Sequence, residues 1–144
     1  MVYCIHMQLF VGVKAAILHE GKVLLLREST AYLDGAEAGK WDLPGGRIEK
    51  EETLDAALAR EVGEETGLRV LRGDLLGAYD GFPVIRGEKC HVVRLYFLCE
   101  TASPQVTLSG DHDQHQWIDP HVIPSEIELM DDLADVLAQA ATRI

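Results

Sequence analysis

The sequence has few basic residues for its length. Its 144 residues include 13 lysines and arginines against 24 aspartates and glutamates, a formal net charge of -11. Proteins that bind DNA or RNA irrespective of sequence need clustered lysine and arginine side chains facing the phosphates. A nucleic acid polymer is therefore not an expected partner. Small anionic substrates stay compatible with this composition, because a bound cation reverses the local charge.

Cysteine and long apolar runs are also scarce. The three cysteines, Cys4, Cys90 and Cys99, contain no Cys-x-x-Cys pair, and any disulfide would leave one of them over. This pattern argues against a disulfide framework and favours reduced thiols in a cytosol. No segment approaches the ~20 apolar residues of a membrane-spanning helix, and residues 1–10 lack the features of a signal peptide. We therefore expect a cytoplasmic protein without a membrane partner.

What is present indicates one α/β domain over residues 1–144, with residues 1–8 as an extended N-terminus. The 47% hydrophobic content is enough for a sizeable core. The apolar spacing predicts six strands and two helices. The strands are Leu9–Leu18, Val23–Leu26, Val70–Tyr79, His91–Cys99, Gln105–Leu108 and Gln116–Ile118, with a hairpin turn at 20–22; the helices are Thr53–Thr66 and a C-terminal helix that starts from a Ser125/Glu128 capping box. Residues 28–40 are predicted to be a loop that closes over a ligand. Strands on both sides of one central helix, followed by a closing helix, predict a mixed sheet with helices on both faces.

Three glutamates at the end of the first helix are the most informative feature. Glu61, Glu64 and Glu65 lie at helical spacing beside the apolar stripe of Leu58 and Val62. Crowded, partly desolvated carboxylates repel one another, so protons or a hard cation must neutralise them. Magnesium prefers carboxylate oxygens and keeps waters and substrate phosphates in its remaining positions. The cluster therefore predicts a phosphate-processing site.

The residues around these acids resemble the Nudix box, G-x5-E-x7-R-E-U-x-E-E-x-G-U, where U is apolar. All nine specified positions match, namely Gly46, Glu52, Arg60, Glu61, Val62, Glu64, Glu65, Gly67 and Leu68. The preceding Trp41–Gly46 is similar to the family's entry into this loop. The resemblance implies a Nudix α/β/α sandwich with a central mixed β-sheet. It also implies Mg²⁺- or Mn²⁺-dependent hydrolysis of a nucleoside diphosphate linked to another group, a small nucleotide substrate, and a homodimer as one expected assembly.

The resemblance also implies roles for the box residues. Glu61, Glu64 and Glu65 are the expected catalytic acids and metal ligands, together with the backbone carbonyl of Gly46. For that glycine a turn requirement alone is the alternative. Arg60 and Glu52 are expected to form a salt bridge that orients the loop and the helix, with a simple surface pair as the alternative.

Residues outside the box receive weaker predictions. Asp111 is the predicted additional metal-binding acid, and an ordinary loop aspartate is the alternative; the general base is open between Glu61, Glu64 and such a distant acid. Arg27 and Trp41 are predicted to bind substrate, against the alternatives of an exposed arginine and core packing. His112, His115 and His121 lack a cysteine partner and helical spacing, so no zinc site is expected there.

The identity of the substrate is the least constrained prediction. A nucleoside triphosphate suits a chain of 144 residues and is ranked first. ADP-ribose or another nucleotide sugar is the alternative, because Pro83 lies 15 residues beyond Leu68, where ADP-ribose pyrophosphatases of the family keep a proline. A domain that senses a nucleotide without cleaving it is the third possibility, and such domains usually lose acids of the box.

Overall fold

A computed structural model describes residues 6–29 and 37–144. The elements are β1 (Leu9–His19), β2 (Lys22–Glu28), β3 (Trp41–Asp42), β4 (Gly45–Arg47), α1 (Leu54–Thr66), β5 (Leu71–Gly81), β6 (Val84–Ile85), β7 (Glu88–Lys89), β8 (His91–Glu100), β9 (His112–Ile118) and α2 (Leu133–Ala141). Two loop residues, Glu20 and Gly21, have positive φ and close the predicted hairpin between β1 and β2. None of the helices in the described ranges is long and apolar enough to cross a membrane.

The main sheet is mixed and has a helix on each face. Its strand order is β3-β2-β1-β8-β5, with β4 also paired to β1 and β9 to β2; β1 and β8 run parallel and the other pairs are antiparallel. The α1 residues Leu58 and Val62 pack on one face against Ile17. On the opposite face, the α2 residues Leu133 and Leu137 belong to a second buried cluster. The predicted α/β/α sandwich is confirmed.

Strands β1 and β2 separate shortly after the hairpin, and this separation positions the site. They pair only at Leu18 with Val23 and at His19 with Lys22. Farther from the hairpin, Lys14 of β1 pairs instead with Gly45 of β4, while β2 pairs with β3. The segment 41–47 therefore enters between the two strands. We call this place the fork, because residues from both faces of the sheet meet there.

The first helix begins and ends where its sequence predicts. The side-chain hydroxyl of Thr53 accepts a hydrogen bond from the backbone N–H of Ala56 at 3.1 Å, which caps the N-terminus. At the other end Gly67 has φ of +73° and donates its N–H to the carbonyl of Gly63. A glycine adopts this left-handed conformation without a steric penalty. These local signals therefore set the length of α1 and the place of its final acids.

The start of the predicted C-terminal helix and one predicted strand are wrong. The second helix starts at Leu133, and no capping box of Ser125 and Glu128 forms. Instead the Glu128 carbonyl accepts from the Trp41 N–H at 2.8 Å, and the Met130 N–H donates to the Trp41 carbonyl at 2.9 Å. These bonds tie 128–130 to the sheet and are incompatible with helix. The second error is 105–108, which forms no strand; its apolar side chains cover the α1 cluster, and its Thr107 N–H donates to the Thr66 carbonyl at 2.9 Å.

The predicted strand 116–118 is confirmed within the longer β9. The predicted ligand-covering loop at 28–40 falls partly outside the described residues, because 30–36 are not described. The same holds for residues 1–5 of the predicted N-terminal extension.

Candidate active site

The three box glutamates lie on the last two turns of α1, beside the loop that enters the fork. The side chain of Glu61 is 17% exposed and that of Glu64 61% exposed. Glu65 is partly buried and accepts a hydrogen bond from the backbone N–H of Gly45 at 3.3 Å. Glu64 is therefore the most exposed of the three carboxylates, and Glu65 contacts the loop backbone at the fork.

Arg60 links the box loop to the helix. Its guanidinium donates to both carboxylate oxygens of Glu52, at 2.7 and 2.9 Å, and to Glu61 at 2.8 Å. It also donates to the carbonyl of Arg47 at 3.1 Å. The hydrogen bonds from Arg60 lower the pKa of Glu52 to about 2, so this carboxylate stays ionised. The predicted ion pair between Arg60 and Glu52 is present, and its geometry holds Glu61 against the loop.

Gly46 leaves the space in which the Glu61 carboxylate lies. A Cβ atom at position 46 would be 2.6 Å from both Cδ and Oε2 of Glu61, well inside van der Waals contact. A side chain at this position would therefore displace the carboxylate. The glycine allows the loop backbone and the Glu61 side chain to approach each other. A metal ion bound by both the Gly46 carbonyl and the Glu61 carboxylate would require this approach.

The inner end of the acid cluster faces a cavity of about 310 Å³. The cavity is lined by Lys14, Glu28, Gly45, Glu65, Asp111 and His112. Burial raises the pKa of Glu65 to about 7, although Lys14, His112 and the Gly45 N–H favour its ionised form. Asp111, predicted as the distant acid, thus lines the same cavity as a box glutamate; its metal-binding role stays a prediction.

Lys14, Glu28 and His112 are site residues that the sequence analysis missed. The Lys14 ammonium lies 2.8 Å from the Asp42 carboxylate and 3.3 Å from the Leu43 carbonyl. Burial opposes its charge, but Asp42 and then Glu65 raise the pKa of Lys14 on balance. A lysine inside the otherwise apolar run 13–17 was the available signal, because such a charge rarely enters a core strand without a partner.

His112 is buried and contacts the same cavity. Its Nε2 atom lies 3.4 Å from the Glu28 carboxylate, and its Nδ1 atom has no hydrogen-bond partner within the described part of the chain. Burial lowers the pKa of His112, but the hydrogen bond to Glu28 and the nearby Glu65 raise it on balance. The cavity therefore brings the acids Glu28, Glu65 and Asp111 together with the basic residues Lys14 and His112.

Arg27 and Trp41, the predicted substrate-binding residues, lie outside this cavity. The Arg27 guanidinium makes a bidentate ion pair with Asp113 at 2.7 and 2.9 Å. The Trp41 side chain belongs to the buried cluster beneath α2 and is 7% exposed. The Trp41 position matches the core-packing alternative, and Arg27 is partly buried and ion-paired rather than simply exposed; the geometry does not test whether either residue binds substrate.

The donor set suits a hard divalent cation, although two of its three carboxylates contact Arg60 in this conformation. In the described ranges, no three His, Cys, Asp or Glu side chains converge closely enough to hold a metal ion. Arg60 instead contacts Glu61 at 2.8 Å and Glu64 at 3.7 Å. Glutamate oxygens and a backbone carbonyl are the ligands that Mg²⁺ and Mn²⁺ prefer, and the glycine at position 46 lets the Glu61 carboxylate lie against the loop backbone.

The metal-free protein is expected to lose stability as pH rises from about 5 to 7. Folding raises the pKa of Glu65 from 4.5 to about 7. Over that range the folded state binds more protons than the unfolded state, so the free energy of unfolding falls with pH. The pKa of His112 is also raised from its ordinary value of 6.5. Above that pH, His112 therefore adds to the fall in the free energy of unfolding. Urea denaturation in EDTA at pH 5, 6, 7 and 8 measures this slope.

Glu65→Gln supplies the control for that measurement, because it removes the titrating carboxyl and should flatten most of the slope. Below pH 4.5 the trend reverses, since the lowered pKa values of Glu52, Asp55 and Asp119 give stability that is lost on acidification. A wild-type stability that rises between pH 5 and 7 would contradict the assignment.

Comparison with known proteins identifies the family. The NUDIX domain matches residues 9–140. A MutT-like protein from Streptomyces ambofaciens is 34% identical over 111 residues, which are 76% of this chain and 64% of the relative. The chain thus spans less than two thirds of that relative's length. Nucleoside triphosphatase NudI from Klebsiella pneumoniae is 28% identical over 89% of this chain and 87% of its own. An ADP-ribose pyrophosphatase from Methanocaldococcus jannaschii is 29% identical over 85% of this chain and 69% of its own.

The fold comparison agrees with the sequence comparison. The crystal structure of a MutT protein from Methanosarcina mazei superposes with a TM-score of 0.80 at 30% identity, over 97% of this chain and 98% of that one. The complete acid motif, the α/β/α sandwich and these matches have one common explanation. The chain belongs to the NUDIX family of hydrolases.

Proposed function

We propose that this protein is a Mg²⁺- or Mn²⁺-dependent pyrophosphohydrolase that cleaves the diphosphate linkage of a small nucleotide. The complete set of box acids around the Gly46 loop is the observation on which the proposal depends. Glu61, Glu64, Glu65 and the Gly46 carbonyl would hold the metal. When bound, the metal would neutralise phosphate charge and lower the pKa of a water molecule.

The remaining box residues orient this set. Arg60 holds Glu52 and Glu61 together, so the loop before α1 and the acids on α1 keep a fixed relation. Side chains held by such bonds lose less freedom when a ligand binds, which supports both affinity and rate. Asp111, which lines the same cavity as Glu65, is proposed as an additional metal-binding acid.

A nucleoside triphosphate is the proposed substrate. NudI, named a nucleoside triphosphatase, aligns over nearly the whole of both chains, and the extent of that match supports this class. A second cavity of about 340 Å³, lined in part by Phe82, Arg94 and Tyr96, lies beyond Asp42. Its volume is within the range of small-molecule sites, so the chain has room for a group attached to the diphosphate.

ADP-ribose or another nucleotide sugar is the second candidate. The relative from Methanocaldococcus jannaschii is named an ADP-ribose pyrophosphatase. Pro83, the residue that suggested this class in the sequence, lies in the lining of the 340 Å³ cavity. Its position in a cavity with room for a substrate group is the observation that supports this alternative.

A substrate panel tests the proposal and separates the candidates. Nucleoside triphosphates, ADP-ribose, nucleotide sugars and dinucleoside polyphosphates are incubated with the protein, with and without Mg²⁺, and the products are identified by chromatography. Metal-dependent release of pyrophosphate and a nucleoside monophosphate from triphosphates is the expected result. Preferred cleavage of ADP-ribose would select the second candidate. Tight nucleotide binding without turnover of any compound would contradict the enzyme and indicate a nucleotide sensor.

A further inference from the structure

Lys14 is a charged residue at a position where the strand otherwise carries apolar side chains. Its neighbours Val13, Ala15, Ala16 and Ile17 are all fully buried, and the Lys14 side chain is only 15% exposed. Its partner Asp42 is 6% exposed at the side chain. Replacing a buried ion pair of this kind by apolar residues is often neutral or stabilising. Stability alone therefore does not account for the pair.

The fork brings Lys14 to the acid cluster. Alternation along β1 places Ala16 in the cluster beneath α2, and Val13 and Ala15 in the cluster beneath α1. Lys14 therefore belongs to the α2 face, whereas Glu65 comes from α1 on the other face. They line one cavity because β1 and β2 have separated at this point and β4 has taken the place of β2.

The hydrogen bonds of Lys14 leave one donor for a ligand. An ammonium group has three N–H donors, and Asp42 and the Leu43 carbonyl accept two of them. Within residues 6–29 and 37–144, no further protein acceptor of Lys14 is found. Asp42 holds the amine in place and also accepts the Leu43 N–H at 2.7 Å. The amine is thus preorganised at the cavity wall.

Lys14 also stands between the two cavities. It lines the 310 Å³ cavity that contains Glu65, and its partner Asp42 lines the 340 Å³ cavity that contains Arg94. A ligand that reaches from one cavity to the other passes this pair. The acids Glu28, Glu65 and Asp111 in the first cavity outnumber its cations, so an anionic group there needs both a metal ion and a fixed positive charge.

We propose that Lys14 is a phosphate-binding residue: its ammonium group, held by Asp42 and Leu43, donates to the diphosphate of the substrate at the fork. This inference rests on the proposed function and adds a residue outside the box to it. If it is right, replacing Lys14 weakens ligand binding even in a variant that keeps its fold.

The test uses methylenediphosphonate, a diphosphate analogue. Its P–C–P bridge is not hydrolysed by water. Its affinity is measured by titration calorimetry in the presence of Mg²⁺ for wild type, Asp42→Asn and the double variant Lys14→Met/Asp42→Asn. The double variant removes both charges, so neither is left unpaired in the core. We expect it to bind at least about tenfold more weakly than Asp42→Asn alone, because only Asp42→Asn keeps the ammonium group.

Lys22→Met is the matched control, since Lys22 is exposed at the hairpin and its loss removes one positive charge, as Lys14→Met does in the Asp42→Asn background. It should bind the analogue as wild type does. If Asp42→Asn and the double variant lose affinity equally, the pair is structural and the inference is wrong. It is also wrong if the double variant, shown by circular dichroism to be folded, binds as tightly as wild type.

The binding test measures the role of Lys14 separately from the hydrolase activity. Turnover of nucleotides together with affinity that does not depend on Lys14 would overturn only the role of Lys14. Lys14-dependent binding of the analogue without turnover of any compound in the substrate panel would support that role and overturn the hydrolase. The two failures are thus distinguishable.

Discussion

Replacing Glu65 by glutamine is expected to lower turnover about a hundredfold or more while the fold stays intact. Glutamine has nearly the same shape, and its oxygen can still accept from the Gly45 N–H. It cannot supply the negative charge at the inner end of the cluster. Removal of a proposed metal ligand is expected to act on the transition state and on metal affinity together. Steady-state rates at saturating Mg²⁺, with circular dichroism as the check of folding, measure the effect.

The matched control is Glu126→Gln, an exposed glutamate between β9 and α2 with the same change of charge. It should retain the wild-type rate. The metal-free Glu65→Gln protein should also be more stable than wild type at pH 8, because a partly buried carboxylate has been removed. Undiminished turnover of Glu65→Gln would exclude Glu65 from the mechanism.

Gly45→Ala is expected to destabilise the fold, and Gly46→Ala to impair mainly the activity. Gly45 has φ of +142°, and a Cβ there would lie 2.1 Å from the carbonyl oxygen of Val13 and 2.7 Å from Cα of Lys14. Both are backbone atoms of β1, which do not move without disrupting the β1–β4 pairing. Backbone strain and overpacking each cost about 1–3 kcal/mol. We therefore expect a loss of about 3 kcal/mol or more in the free energy of unfolding.

At Gly46 the clash is with the carboxylate of Glu61, the end of a side chain that can turn away. The stability loss should therefore be clearly smaller than for Gly45→Ala, whereas turnover should fall about tenfold or more because a proposed metal ligand is displaced. Urea denaturation and initial rates of both variants check the contrast. Equal losses of stability would show that Gly46 serves only the turn.

Much of the fold follows from patterns within about ten residues. Thr53 and Gly67 predict the ends of α1 because a cap depends on bonds to backbone groups within one turn. The same holds for the hairpin at Glu20 and Gly21. The predicted start of α2 is wrong because contacts between distant residues override a local pattern. Ser125 and Glu128 satisfy the local capping pattern, but backbone bonds to Trp41, distant in the sequence, compete with the helix and prevail.

In the candidate site, too, local patterns could be predicted and long-range contacts could not. The spacing of Glu61, Glu64 and Glu65 identified the acid cluster, and the Arg60–Glu52 pair was predicted because both residues lie in one short motif. The predicted substrate-binding role of Arg27 is untested, but its ion pair with Asp113 across the β2–β9 register could not be predicted. The spacing of residues along the sequence does not reveal how β2 and β9 are aligned.

The sequence by itself determined the family, the sandwich fold and the acids at the end of α1, since helical periodicity and a nine-position motif are properties of neighbouring residues. Only the tertiary structure decided what faces Glu65. Lys14, Glu28 and His112 reach its cavity because β1 and β2 separate and the segment 41–47 enters between them. Strand pairing across the sheet, rather than any local preference, creates that opening and sets the electrostatics of the site.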